Sequence, residues 1–350
     1  MDRSVFPHVG NQNRVASVIS RMQCMAASLL ALFLVVGSVH AQRSAQRIEE
    51  ASLITIGGIE QWVTIRGDDR RNPVLLLLHG GPGDVQSPFV STYAPYERDF
   101  VLAQWDQRGA GRTFAKNGAA GVTREKLIAD GIDLAEQLHK RFPRAPLILF
   151  GHSWGSIIAT AMAQQRPELF AAYVGTGQVT AWADTVQFQF DFLKQQYKEK
   201  SDTAALRALE AIGKPDPNNV DQYFGFSRPI RQNMNASDTA WLNGLRGLYS
   251  ASGETEAALK AIRDGSSASG RALIGASVET DLPATAISFK LPYYVIQGRH
   301  DLFAPTPLVE AYFNKVSAPK KRLIIMEDAG HFALATHQAE VIAALKAVIQ

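Results

Sequence analysis

A serine between two glycines is the residue of this chain best suited to covalent chemistry. Ser153 lies at the centre of GHSWG, residues 151–155, which fits the pattern G-x-S-x-G. The apolar run LILF at 147–150 precedes this motif, and a run with helical spacing follows it. A strand that enters a helix through so tight a turn exposes the serine hydroxyl above the end of the strand. The motif therefore predicts a nucleophile for acyl transfer.

A serine hydroxyl attacks a carbonyl carbon only when a histidine takes its proton and a carboxylate orients that histidine. Asp301, in QGRHD, follows the apolar run LPYYVIQ, and His331, in EDAGHF, follows the run KRLIIME. The order Ser153, Asp301, His331 is the order in which such residues occur along sheets with this motif. Asp328 lies close to His331 in the chain and is the alternative carboxylate. The sequence thus predicts Ser153, Asp301 and His331 as the catalytic residues.

The tetrahedral intermediate of acyl transfer carries an oxyanion, which needs hydrogen-bond donors already in place. The backbone N–H of Trp154, directly after the serine, is the first predicted donor. The second is expected in the loop HGGPG at 79–83, where Pro82 has no N–H to donate. Gly81 is the predicted second donor of the oxyanion hole, and Gly80 is the less favoured alternative.

Alternating strand and helix patterns must position these residues. A hairpin pattern around Gly57-Gly58 opens the fold, and six further strand-like runs alternate with helical patterns. This alternation predicts an α/β fold with a mostly parallel eight-stranded sheet and helices on both faces. The strand-like runs after the hairpin lie at residues 74–80, 100–109, 147–150, 171–179, 291–298 and 321–327.

One long segment interrupts the alternation. Residues 180–290 have helical patterns and many aromatic side chains, and an insertion of that length between two strands is typical of a functional cover. We expect a helical cap over the carboxyl edge of the sheet, where open α/β folds bind ligands. The predicted α/β core comprises residues 42–179 and 291–350.

The first 41 residues have the pattern of a secretory signal peptide. Arg14 and Arg21 precede an apolar stretch at 25–39, and the segment ends with a small residue, Ala41, after His40. The apolar stretch is shorter than the roughly 20 residues that span a bilayer. We expect cleavage after Ala41, an exported protein (periplasmic or secreted) and no stable membrane insertion of the mature chain. Translation starting at Met22 or Met25 is an alternative to the first methionine.

Charge and cysteine content exclude other classes of protein. The full chain has a formal net charge of +3, of which residues 1–41 carry +2, so the mature chain has about +1. A near-neutral chain has no electrostatic footprint for nucleic acid. Cys24, the single cysteine, is removed with the signal peptide, so no disulfide is expected. No His/Asp cluster has metal-ligand spacing, and the predicted chemistry needs neither a metal nor a cofactor.

Five motifs together resemble a known family. They resemble the α/β-hydrolase superfamily, and within it the proline iminopeptidase group. The resemblance implies the α/β-hydrolase fold, the same catalytic and oxyanion residues, and a DQRG segment at 106–109 that shapes the site from beneath. Within this segment we expect Asp106 and Arg108 to form a structural ion pair and to take no part in the chemistry. The motifs are HGGPG at 79–83, WDQRGAGRT at 105–113, GHSWGS at 151–156, GRHD at 298–301 and AGH at 329–331.

The resemblance is weaker in the predicted cap. It implies cap carboxylates that bind the free amino group of a substrate, but the comparable stretch at 239–256 has no acidic residue before Glu254. We therefore expect the substrate to be bound by polar side chains in the predicted cap or in the segments before it. The candidates are Gln178, Glu254 and Glu256, with Glu279 and Asp84 as further amine partners.

These residues predict an exported serine hydrolase that releases N-terminal proline from small peptides through an acyl-enzyme. The first alternative is an esterase or lactonase with the same triad, acting on a small ester or amide. The second is a non-catalytic binding protein on the same fold, which would have no need of a proton relay. The sequence leaves the oligomeric state open.

Overall fold

The sheet of the computed structural model, which describes residues 46–216 and 219–349, has eight strands in the order β1-β2-β4-β3-β5-β6-β7-β8. β2 is antiparallel to both of its neighbours, and every other pair of adjacent strands is parallel. The predicted mostly parallel eight-stranded sheet is therefore confirmed. The strands are β1 Ile48–Ile56, β2 Ile59–Gly67, β3 Val74–Leu78, β4 Val101–Trp105, β5 Leu147–His152, β6 Ala172–Thr176, β7 Tyr293–Gly298 and β8 Lys321–Met326.

The central strands are buried on both faces, as continuous apolar runs require. Every residue of β3 (VLLLL) and of β5 (LILFGH) is buried. Alternate side chains point to opposite faces of a strand, so Leu76 and Leu149 belong to one hydrophobic cluster, whereas Leu75 and Ile148 belong to the other. The two clusters fill the layers between the sheet and the helices on its two sides.

The longest helix outside the predicted cap, Arg124–Arg141, shows how a cap and an apolar face define a helix. At its start, the hydroxyl of Thr123 accepts the N–H of Lys126, and along its inner face Leu127, Leu134 and Leu138 are buried. Among the residues that flank the predicted cap, the helices are α1 Val90–Glu97, α2 Gly111–Asn117, α3 Arg124–Arg141, α4 Trp154–Gln165, α11 Thr306–Lys315, α12 Ala333–Thr336 and α13 Gln338–Ile349.

Between β6 and β7, the described residues form six helices. Five of these helices begin at a residue whose side chain accepts an N–H of the first turn, which explains why they start where they do. A separate hydrophobic cluster, which includes Leu193, Leu209 and Phe226, holds part of this region together. The six helices are α5 Trp182–Glu199, α6 Thr203–Ile212, α7 Val220–Gln232, α8 Ala236–Ala251, α9 Glu256–Val278 and α10 Leu282–Thr285.

The predicted signal peptide at residues 1–41 lies outside the described residues. Within the described part of the chain, no helix combines the length and the apolar character needed to cross a membrane.

Candidate active site

Ser153 is the single residue between β5 and α4, and its backbone has a φ of 52°. A positive φ is strained for a residue with a Cβ, so the surrounding packing must hold this turn. Both flanking glycines are needed for that packing. A Cβ on Gly155 would lie 2.2 Å from the carbonyl oxygen of Leu78, and one on Gly151 would lie 2.8 Å from Cβ of Ala159. The tight turn thus depends on glycine at both positions.

The structure brings Ser153, His331 and Asp301 together from three separate parts of the chain. The Nε2 atom of His331 lies 3.0 Å from Oγ of Ser153, and its Nδ1 atom lies 2.9 Å from Oδ2 of Asp301. Each of the three residues directly follows a strand or lies in the loop that leaves one. Because β5, β7 and β8 are parallel, all three residues lie at the same edge of the sheet.

Asp301 is fully occupied as a hydrogen-bond acceptor. Its Oδ1 atom accepts the N–H groups of Phe303 and Ala304, at 2.8 and 2.7 Å. Its Oδ2 atom accepts from His331 and from Nε2 of Gln297, which is 3.0 Å away. Four donors fix the carboxylate in one position, and the carboxylate in turn fixes the orientation and tautomer of the imidazole.

A second carboxylate contacts the histidine loop and was missed by sequence reasoning. Asp238, on α8, is buried and accepts the backbone N–H groups of His331 and Phe332, at 2.6 and 3.1 Å. Its own N–H is bound by the side chain of Asn235 at the start of α8. The pattern NASD therefore predicts a helix start, where an acid in the first turn is ordinary, and gives no sign of the contact with residue 331.

The charges around His331 favour its protonated form. Burial lowers the pKa of the imidazole, but the charge of Asp301, its hydrogen bond and the charge of Asp238 outweigh burial and raise that pKa above its ordinary value. An imidazole of raised basicity is well suited to accept a proton from a hydroxyl group. Burial also raises the pKa of Asp238 itself, despite the two N–H groups that it accepts.

Two further histidines beneath the serine are held neutral. Burial lowers the pKa of His79 to about 4, and burial followed by the charge of His331 holds the pKa of His152 well below its ordinary value. The ring of His152 lies 4.9 Å from the ring of His331. These histidines support the site as buried neutral groups and do not reach the serine hydroxyl in place of His331.

The predicted oxyanion donors flank the serine. Trp154 is the first residue of α4, so its N–H has no acceptor within the helix. The HGGPG loop passes directly against the serine, because a Cβ on Gly80 would lie 2.8 Å from Cβ of Ser153. Gly81, with a φ of 110°, lines the cavity that contains the serine. An oxygen that develops negative charge beside Ser153 can meet backbone donors from both sides.

A cavity of about 350 Å³ lies over Ser153 and His331, and its walls are mostly apolar. Besides histidines, two charged side chains line it, Asp84 and Arg231. Asp84 is exposed and accepts a hydrogen bond of 2.6 Å from the hydroxyl of Ser266. The aromatic part of the wall consists of Phe89, Tyr93, Trp241, Tyr249, Phe303 and Phe332.

The structure places none of the three tentative substrate-binding residues among those that line this cavity. Gln178 is buried below it and binds Ser156 and Tyr173 in the core. Glu254 forms an ion pair with Arg112. Its carboxylate is therefore already paired with a cation of the protein and does not face a substrate amine. Glu256 is exposed at the first turn of α9.

Of the two further acids predicted as amine partners, Glu279 lies 3.8 Å from Arg124 and does not line the cavity over Ser153. Asp84 lines the cavity over Ser153.

The predicted ion pair between Asp106 and Arg108 is wrong. Arg108 forms a two-pronged ion pair with Asp130 on α3, at 2.7 and 2.9 Å. Asp106 instead accepts the hydroxyl of Ser87 and the N–H of Arg112. Neighbouring positions in a loop project in different directions, so the partner of Arg108 comes from a distant helix. The DQRG segment still lies beneath the site, since Gln107 binds His79 through two hydrogen bonds.

Across residues 46–216 and 219–349, no three or more His, Cys, Asp or Glu side chains are grouped in a way that could hold a metal ion.

Comparisons with known proteins agree with this geometry. The family model for the alpha/beta hydrolase fold matches residues 73–338. The chain is 30% identical over 294 residues to a Bacillus subtilis protein named probable aminopeptidase YbaC, covering 79% of this chain and 89% of that one. It is 33% identical over 102 residues to a Xylella fastidiosa proline iminopeptidase, covering 29% and 31% of the two chains.

A solved structure has the same fold. The structure of a Mycobacterium smegmatis proline iminopeptidase superimposes with a TM-score of 0.61 at 14% identity, covering 86% of this chain and 97% of that one. The family match spans well over half of the chain, and the 30%-identical relative is covered nearly end to end. The chain therefore belongs to the alpha/beta hydrolase fold family, as a hydrolase similar to the proline iminopeptidases.

Proposed function

We propose that this hydrolase cleaves small amide substrates through an acyl-enzyme on Ser153, and that it releases N-terminal proline from short peptides. The observation that carries the chemistry is the continuous hydrogen-bonded path from Ser153 through His331 to Asp301, with distances of 3.0 and 2.9 Å. No other described serine has this pair of partners.

The first half of the reaction forms the acyl-enzyme. Oγ of Ser153 attacks the substrate carbonyl carbon while Nε2 of His331 takes the hydroxyl proton, and Asp301 stabilises the resulting imidazolium. The carbonyl oxygen becomes an oxyanion that accepts the N–H groups of Trp154 and Gly81. When the intermediate collapses, the C–N bond breaks and His331 gives its proton to the leaving amine.

The second half releases the acid. A water molecule gives a proton to His331 and attacks the acyl carbon, and the ester bond to Ser153 then breaks as the proton returns to Oγ. The products are the free amino acid and the shortened peptide. The same steps cleave an ester, with an alcohol in place of the amine.

Three observations support proline and a free amino group as the acyl side of the substrate. The relatives at 30% and 33% identity are named aminopeptidase and proline iminopeptidase. The cavity has an aromatic wall against which a pyrrolidine ring can pack. Asp84 supplies a carboxylate in that wall for the amine. Five residues of the predicted cap line this cavity: Arg231, Trp241, Leu242, Leu245 and Tyr249.

The decisive comparison uses three substrates. We expect kcat/KM for prolyl-2-naphthylamide to exceed that for N-acetyl-prolyl-2-naphthylamide by roughly a hundredfold, because acetylation removes the charge that Asp84 binds. p-Nitrophenyl acetate serves as the ester reference. A wide preference for the acetate, with little turnover of either naphthylamide, would assign the chain to ester hydrolysis. A folded protein that a fluorophosphonate probe fails to label at Ser153 would remove the acyl-enzyme and favour the binding-protein alternative.

We also propose that the chain is exported and that residues 1–41 are its signal peptide. The basic flank and the 15-residue apolar stretch at 25–39 support this proposal. Expression of the full chain with a C-terminal tag in a bacterial host, followed by fractionation and N-terminal sequencing, tests it. We expect the tagged protein outside the cytoplasm with Gln42 as its first residue. A cytoplasmic protein that retains residues 25–39 would contradict export.

A further inference from the structure

A second cavity, of about 480 Å³, adjoins the one that contains Ser153. The two cavities share three lining residues, Gly81, Asp84 and Arg231. Gly81 is the predicted oxyanion donor, so the second cavity begins where a bound carbonyl group would lie. Its remaining lining residues are Pro82, Trp182, Ser266, Ser267, Gly270, Arg271, Ile274 and Ser277.

The charge of the second cavity is positive. Arg231 and Arg271 line it together with one carboxylate, Asp84. Within residues 46–216 and 219–349, neither guanidinium group forms an ion pair or a hydrogen bond, whereas Asp84 is already bound by Ser266. Both arginine side chains are exposed and retain all of their donors for a ligand.

Helix α9 forms one wall of this cavity and is fixed against the oxyanion loop. Its lining residues, 266, 267, 270, 271, 274 and 277, recur at helical spacing and so share one face. Ser266 donates to Asp84, and Ser269 donates to the carbonyl oxygen of Gly109 at 2.7 Å. Gly83 packs so closely on α9 that a Cβ there would lie 2.9 Å from Cα of Ser266. These contacts hold the wall in place before a substrate arrives.

We propose that the second cavity binds a carboxylate on the leaving side of the substrate, so that the enzyme prefers short peptides with a free C-terminus. The proposal rests on the proposed acyl-transfer chemistry at Ser153. Each cavity binds a different part of the substrate. The aromatic cavity receives the apolar acyl residue, and the guanidinium groups beyond Gly81 offer forked donors whose geometry matches a carboxylate.

The test compares substrates that differ only in that charge. Prolyl-glycine and prolyl-glycyl-glycine are each paired with their C-terminal amides, and the ratio of kcat/KM for acid over amide is measured. For whichever of the two peptides is cleaved more efficiently, we expect a ratio of about ten in the unmodified protein. That ratio corresponds to the free energy of one charge-assisted hydrogen bond at an exposed site. Arg271→Glu should lower that ratio to one or less, because it replaces an attractive charge with a repulsive one.

The ratio isolates the subsite from other effects of the substitution. Both members of a pair share the same acyl group and the same serine, so a loss of folded enzyme cancels. Arg207→Glu is the matched control, because Arg207 lies exposed on α6 and lines neither cavity. We expect its ratio to equal that of the unmodified protein. A ratio near one before any substitution, or an equal ratio in Arg271→Glu, overturns the proposal.

A parallel ester pair separates this proposal from proline specificity. 4-Acetoxybenzoate and 4-acetoxybenzamide have the same acetyl group, and their leaving groups differ in charge. If neither peptide is cleaved but the ester acid is preferred over its amide and Arg271→Glu abolishes the preference, the subsite stands and the peptidase assignment fails. If the peptides are cleaved without regard to the terminal charge, the peptidase assignment stands and the subsite is overturned.

Discussion

The proposed acyl transfer requires that Ser153 give its proton to His331 and that Asp301 fix the imidazole in one orientation. The contact between Asp301 and His331 is buried and short, at 2.9 Å, whereas the side chain of Asp328 is exposed. We expect Asp301→Asn to lower kcat by three to four orders of magnitude, roughly the loss that follows from a wrong imidazole tautomer. The measurement is steady-state hydrolysis of prolyl-2-naphthylamide.

Asp328→Asn provides the comparison for that experiment. Its backbone carbonyl accepts a hydrogen bond from Asn235, and that bond survives the substitution. We expect kcat within a factor of a few of the unmodified enzyme. A severe loss in Asp328→Asn together with a mild one in Asp301→Asn would reverse the assignment of the acid.

The residues around Ser153 differ in how far the sequence could predict them. The strand–turn–helix motif and the chain order place Ser153, Asp301 and His331 because each follows a strand, and parallel strands share an edge. The partner of Arg108 is Asp130, which lies on a helix 22 residues away, and no local pattern indicates it. Only their position in the chain indicates the carboxylates at 254 and 256 as substrate-binding residues, whereas the packing of the helices determines which side chains line the cavity.

At the scale of elements, the turn between β5 and α4 depends on how closely α4 approaches the end of β3. A Cβ on Gly155 would lie 2.2 Å from the carbonyl oxygen of Leu78, a rigid backbone atom. We expect Gly155→Ala to lower the free energy of unfolding by several kcal/mol, on the order of a severe overpacking change. Urea denaturation followed by circular dichroism measures it.

Gly275→Ala is the matched substitution for that measurement. Gly275 lies inside α9 and a Cβ there would meet nothing within 4 Å. Alanine is the better helix former, so we expect this variant to gain up to about 1 kcal/mol. If Gly155→Ala proved as stable as Gly275→Ala, the close approach of α4 to β3 would not be what holds the serine turn.

Helix α8 is coupled to the catalytic loop through Asp238, whose charge helps to raise the pKa of His331. Only neutral His331 can accept the serine proton, so kcat/KM should rise with pH as His331 deprotonates. Asp238→Asn removes a negative charge, which lowers the pKa of His331 and moves the acid limb of the pH profile to lower pH. The pH dependence of kcat/KM shows the displacement.

A substitution that removes a charge elsewhere is the control for this shift. Asp184 lies exposed in the first turn of α5. We expect Asp184→Asn to leave the acid limb where it is. A lower plateau in Asp238→Asn without any displacement of the limb would mean that Asp238 acts only by holding the loop.

At the scale of the whole molecule, the alternation of strands and helices was enough to predict the sheet, because buried parallel strands are continuous apolar runs. The pH dependence of stability could not be predicted in this way, since it follows from burial. His79 and His152, at the ends of β3 and β5, stay neutral in the folded protein to far lower pH than in the unfolded chain. Acid therefore favours unfolding, because these histidines bind protons in the unfolded chain at pH values at which they stay neutral in the folded protein.

Asp106 opposes this trend. Burial, only partly offset by Ser87 and the other donors, raises its pKa to about 6, so between about pH 4 and 6 the folded protein holds a proton that the unfolded chain has lost. Its contribution to stability thus falls as the pH rises through that window. Asp238, whose pKa burial also raises, acts in the same direction as Asp106, and the two histidines act against both carboxyl groups.

His79→Gln tests this balance by removing one of the two histidines. The pKa of His79 is about 4 in the folded state, and its ordinary value is 6.5. The histidine therefore accounts for about 3 kcal/mol of the stability lost between pH 6.5 and 4. Between pH 6.5 and 4 we expect the free energy of unfolding of the variant to fall by about 3 kcal/mol less than that of the unmodified protein, whatever its stability at neutral pH. Urea denaturation at several pH values measures the difference.

His139→Gln, at an exposed position on α3, is the control and should keep the pH dependence of the unmodified protein. Equal slopes in all three proteins would mean that the ring of His79 is solvated, and the buried neutral histidine beneath the oxyanion loop would have to be abandoned.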